Sequence, residues 1–104
     1  MSQAFDRAHF DHMTGGDRAL QLEVLGLFRM QVEGWTAAFA IEGWRSALHT
    51  MKGSARGIGL NALAAACEGA ERAPEVEREP ALAIVRAALD DALAELEQFA
   101  AAAA

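Results

Sequence analysis

In the last third of the chain, Leu82, Val85, Leu89, Ala92, Leu96 and Phe99 follow one another at alternating steps of three and four residues. That spacing puts all six on one side of a helix, as a seam that other helices must cover. The helical period recurs upstream, and no segment alternates with the period of two of a half-buried strand. Residues 4–13 predict a short helix with Ala4, Phe5, Ala8 and His12 on one face, broken by Thr14-Gly15-Gly16. Asp17 is placed to cap a long helix from about Arg18 into the high thirties. Leu20, Val24, Leu27, Phe28, Gln31, Trp35 and Ala38 form its apolar stripe. After Ile41-Glu42-Gly43, a third helix runs from Trp44 to about Arg56, burying Trp44, Leu48, Met51 and Ala55. Gly57-Ile58-Gly59 ends it, with Gly57 in position for the left-handed residue. A fourth helix, Leu60 to about Ala73, carries Leu63, Cys67 and Ala70 on one face. A charged linker follows from Pro74 to Pro80, and Pro80 suits the first turn of the last helix.

The expectation is all-α: an antiparallel four-helix bundle with a short additional N-terminal helix. One domain spans 1–104, with the short helix over 1–13, the bundle over 17–99 and a frayed tail over 100–104. Of the residues, 53% are apolar, and the commonest is alanine, which favours helix but fills little volume. No apolar run reaches the roughly 18–20 residues of a membrane span. The N-terminal segment has acids and histidines where a secretory signal has a basic start and an apolar stretch. The lone Cys67 allows no internal disulfide. Together these predict a cytoplasmic protein away from membranes. With one bundle able to bury all the long stripes, a monomer is expected.

The net charge of −6 argues against nucleic acid as a partner. The charge is uneven. Gly43 to Cys67 contains no acid but holds Arg45, Lys52 and Arg56, a window of +3 that leaves −9 elsewhere. Such a basic island suits an anion or an acidic partner surface.

His49 lies within that island. On a helical wheel it falls off the apolar stripe, with Arg45, Lys52 and Arg56 on its side of the helix. Gly53, one turn on, leaves the approach to the ring clear. The flanking cations would serve a metal poorly. They would stabilise negative charge arriving at a ring nitrogen, as with a phosphoryl group. The glycines of Gly53 to Gly59 do not make a phosphate loop, because GxxxxGK[ST] is absent and the segment ends a helix.

His49-Thr50-Met51-Lys52-Gly53-Ser54-Ala55-Arg56-Gly57-Ile58-Gly59, continuing to Leu63, Cys67 and Glu71, resembles the histidine-containing phosphotransfer (HPt) family. The likeness is densest over 43–72. It includes H-x-x-K-G-[SA]-[SA], the glycine ten residues after the histidine, and leucine, cysteine and an acid along the next helix. Trp44 and the Gly15-Gly16-Asp17 opening of the long helix also resemble that family. The resemblance implies a four-helix bundle that takes a phosphoryl group on an exposed histidine. It implies transfer to or from an aspartate of a response-regulator receiver domain in a multistep phosphorelay, with a hybrid histidine kinase as a further partner. His49 would then carry the phosphoryl group at Nε2, and Lys52 would stabilise its charge. Gly53 would give the receiver access, Ser54 and Gly59 would support helix ends and packing, and Leu63 and Cys67 would fill the core. No cofactor is implied on this chain; Mg²⁺ is expected on the receiver. The chain would be a shuttle with a covalent phosphohistidine, not a kinase. The connection from the long helix to His49 is shorter than in typical members, which bears on partner choice.

The receiver is expected to dock over His49 on an apolar patch. Leu22, Leu25, Met30 and Val32 lie outside or at the edge of the stripe of the long helix. Leu25 and Val32 share one side, with Gln31 as a polar neighbour of the imidazole. Phe10 or Met13 of the first helix would add to them. Arg45, Lys52 and Arg56 would face the receiver's acidic pocket. Three other readings are an interaction module of the same fold without the chemistry, a histidine-kinase dimerisation domain, and a metal-binding bundle. Retention of His49 and Lys52 speaks against the first. Thr50 stands where the kinase family has an acid, against the second. His9 and His12, flanked by Asp6 and Asp11, are a thin basis for the third.

Overall fold

Asp6 and Asp17 set where the first two helices begin. Asp6 Oδ1 accepts the His9 amide at 3.0 Å, and Asp17 Oδ1 accepts the Leu20 amide at 3.1 Å. A computed structural model describes residues 4–102. Its helices are α1 (Arg7–Thr14), α2 (Arg18–Ala38), α3 (Trp44–Ile58), α4 (Asn61–Arg72) and α5 (Arg78–Ala102), with a 3-10 turn at Glu75–Glu77. Helices α2 to α5 form the four-helix bundle, each packing on the next and α5 closing back on α2. The short α1 lies across α2 and α3.

The core follows the sequence stripes on α3, α4 and α5. Leu48, Met51, Ala55, Leu63, Cys67, Leu82 and Val85 are all fully buried. Truncating any one of the leucines to alanine would cost about 2–5 kcal/mol. Pro80 sits in the first turn of α5, where no intrahelical donor is needed.

Three expectations are corrected. First, α1 starts at Arg7, after its Asp6 cap, and buries Phe10; Ala8 and His12 are exposed. Phe5 is buried ahead of the helix, in an aromatic cluster with Phe10 and Phe99. Second, Gly57 is helical and Gly59 takes the left-handed position, with φ +100°. A Cβ on Gly59 would also meet the Asp6 carbonyl oxygen at 2.9 Å, because the Asp6 amide donates to Gly59 O at 2.8 Å. Third, α2 is rotated relative to its predicted stripe. Gln21, Leu25 and Phe28 are buried, whereas Leu20, Leu27 and Gln31 are exposed. The amide of Gln21 donates from Nε2 to Asp11 Oδ1 at 2.8 Å and Thr14 Oγ1 at 2.9 Å, so α1 makes its burial tolerable.

Helix α5 runs to Ala102, so it takes in residues 100–102. Residues 1–3 of the expected N-terminal helix and 103–104 of the tail lie outside the described residues. Among the described residues, no helix is long and apolar enough to cross a membrane.

Candidate functional site

His49 sits in the second turn of α3, its side chain 70% exposed. Its Nδ1 lies 3.0 Å from Oε2 of Glu71 on α4. The other carboxylate oxygen, Oε1, forms an ion pair with Lys52 Nζ at 2.8 Å. Lys52 is one turn beyond His49 on α3, so one helix presents both groups to one acid. The ammonium of Lys52 holds the Glu71 carboxyl below the usual carboxylate range; partial burial opposes this and the contact with His49 supports it. An ionised carboxylate only accepts hydrogen bonds, so Nδ1 of His49 carries the proton and donates. In the neutral ring, Nε2 then holds the lone pair.

This geometry redistributes the expected cationic face. Lys52 is 15% exposed and committed to Glu71. Arg45, expected to face the partner, instead donates Nη1 to Glu71 O at 2.7 Å and Nη2 to Ala73 O at 2.9 Å. Its guanidinium stacks 4.3 Å over the Trp44 ring. Arg56 is exposed and has no ion pair among the described residues. It is therefore the uncommitted cation on the face of α3 that carries His49.

The expected docking pair is corrected too. Leu25 is only 3% exposed, in the core, and Val32 is half-buried against it. Phe10 is 1% exposed. The rotation of α2 is the cause, since it turns Leu25 and Val32 inward and Leu27 and Gln31 outward. Leu27, Gln31 and Met13 instead line one bank of a surface groove whose other bank is Gly53 and Gly57 of α3. A Cβ on either glycine would meet nothing within 4 Å, so no internal packing requires them. Both sit inside a helix, where glycine costs roughly 1 kcal/mol relative to alanine. Leu22 and Met30 are exposed on other sides of α2 and do not line the groove.

Ser54 lies in the wall of the groove, and Gly59 closes α3. Leu63 and Cys67 are buried. Burial, aided by the nearby Glu71 carboxylate, pushes the Cys67 thiol up to about 11, so it stays protonated and acts as packing. Asp6 and Asp11, flanking His9 and His12, are spent on capping α1 and on the Gln21 amide. Glu71 is the residue that sequence spacing left without a role. Its signal was an acid on the helix packed against α3, at the position the HPt pattern reserves for one.

An exposed histidine with one ring nitrogen held by a carboxylate, on a four-helix bundle, is the arrangement that histidine phosphotransfer calls for. The chain matches the Hpt domain family over residues 15–101 and belongs to it. It is similar to the crystal structure of the histidine phosphotransferase ShpA from Caulobacter crescentus, with 36% identity and a TM-score of 0.77. That match covers 93% of this chain and 90% of the other. No curated protein matches it in sequence. Histidine phosphotransfer in a phosphorelay is thus its function.

Proposed function

We propose that His49 is the residue that carries the phosphoryl group, and that it exchanges it with the aspartate of a response-regulator receiver domain. The observation that carries this reading is the Nδ1 contact to Glu71, which leaves the Nε2 lone pair for attack. In the forward step Nε2 attacks the phosphorus of the receiver's aspartyl phosphate. The N–P bond forms as the bond from phosphorus to the carboxylate oxygen breaks, and the aspartate leaves with that electron pair. The Nδ1 proton stays in place, and positive charge developing on the ring faces the Glu71 carboxylate. Reversal returns the phosphoryl group to an aspartate. Positioning and charge stabilisation supply most of what such a transfer needs.

Lys52, next to His49 and Glu71, stabilises the added phosphoryl charge. The receiver brings the aspartate and Mg²⁺. Its apolar surface occupies the groove between Met13, Leu27 and Gln31 and the bare turns at Gly53 and Gly57. Arg56 meets the acidic rim of the receiver. A hybrid histidine kinase supplies the phosphoryl group through its own receiver. The chain acts as a cytoplasmic monomer.

Incubation with a phosphorylated receiver domain, or with phosphoramidate, tests the assignment. Acid-labile phosphate on the wild-type chain and none on His49→Gln is the expected result. Label persisting in that variant, or found on His9 or His12, overturns it.

A further inference from the structure

Helix α4 ends at Arg72, and its capping residue Ala73 is extended, with φ −67° and ψ 141°. Pro74 follows directly. The end therefore has no left-handed glycine to fold amides back; the Ala73 amide reaches Ala70 O at 3.2 Å, and the carbonyls of Glu71 and Ala73 still need donors. Arg45 supplies them from α3, through its contacts to Glu71 O at 2.7 Å and Ala73 O at 2.9 Å. Stacking on Trp44, with Glu75 at 3.9 Å, holds the guanidinium in this pose. A positive group is also favourable at a helix C-terminus. Arg45 lies one turn before His49 on α3. That helix thus grips Glu71 twice, by its carboxylate through His49 and Lys52, and by its backbone through Arg45.

We infer that Arg45 is a positioning residue for phosphotransfer: by fixing the backbone of Glu71 it sets the Glu71 carboxylate against His49 Nδ1 and so selects the ring tautomer. This rests on His49 being the phosphorylated residue. The charge of Arg45 is not the agent, because its donors are spent on carbonyls. Loosening the last turn of α4 releases the carboxylate from the imidazole, and both ring nitrogens then share the proton.

The experiment uses the full chain as wild type, Arg45→Gln, Arg45→Lys and Arg56→Gln. Two quantities are read: the ¹⁵N shifts of the His49 ring, and the rate at which phosphoramidate phosphorylates His49. The wild-type ring is expected to show well-separated nitrogen shifts with the proton on Nδ1. In Arg45→Gln the shifts converge and the rate falls roughly tenfold to a hundredfold. Arg45→Lys, which keeps one donor, falls between. Arg56→Gln removes the same charge from the same face and keeps the wild-type ring shifts. A merely structural role would lower the melting temperature without moving the tautomer. Wild-type shifts in Arg45→Gln, or an equal convergence in Arg56→Gln, overturn the inference. If Arg45→Gln does not fold, wild-type shifts in Arg45→Lys overturn it and a partial convergence supports it. A wild-type chain that takes no phosphate on His49 sinks the assignment of that residue instead, while the ring shifts still decide the role of Arg45.

Discussion

His49 Nδ1 and Glu71 Oε2 lie 3.0 Å apart although 22 residues separate them in the chain. The contact joins two helices and fixes the proton on one ring nitrogen. The Lys52 ammonium first, and the His49 ring to a lesser degree, also make the folded state respond to acid through Glu71. The folded pKa of Glu71 is lowered, so its contribution to stability is complete above the ordinary carboxylate range and is lost as pH falls through the lowered folded value. Thermal unfolding of wild type followed from about pH 7 to pH 3 should show this loss, and Glu71→Gln should lose less over the same range. Parallel curves for the two proteins would contradict the assignment.

Lys52→Ala should slow phosphorylation of His49 by about tenfold or more, by removing a cation beside the incoming phosphoryl group. It also leaves Glu71 without its ion-pair partner, so a stability loss of about 1 kcal/mol is expected, well short of unfolding. Single-turnover transfer and a melting curve on the same sample check both. A normal rate would remove Lys52 from the chemistry.

The proposed docking groove separates two leucines on one helix. Leu25→Asp puts a charge into the core and should unfold the domain. Leu27→Asp lies in the exposed groove and should leave the melting temperature within a few degrees of wild type. It should nonetheless raise the receiver concentration needed for half-maximal transfer. Circular dichroism and transfer kinetics distinguish the two, and a folded Leu25→Asp would reverse the assignment.

Arg56 is the charge available for steering an acidic receiver. Arg56→Glu should lower kcat/KM for transfer and flatten its dependence on salt, with little change in kcat at saturating receiver. Arg72→Gln on α4, where Arg72 pairs with Glu68, is the control for lost positive charge and should change neither. A wild-type salt slope in Arg56→Glu would exclude steering through this residue.

The helices, their order and the stripes of α3, α4 and α5 are legible from periodicity, because each stripe is made of apolar residues that can be buried without partners. His49 is legible because a polar ring off an apolar stripe, with a glycine one turn on, is a local pattern along one helix. The phase of α2 is not legible in this way. Gln21 looks like a surface residue until α1 brings Asp11 and Thr14 to its amide, and that contact turns Leu25 inward and Leu27 outward. The roles of the cations are hidden for the same reason. Arg45 and Lys52 look equivalent to Arg56 on a helical wheel, and only the packing of α4 commits two of them and leaves the third. The sequence by itself determined the bundle, the family and the candidate histidine, since these depend on spacing along the chain that reads without knowing how the helices pack. Tertiary structure decided which side of α2 is surface and which acid holds the ring, because both depend on groups distant in sequence meeting at hydrogen-bonding distance.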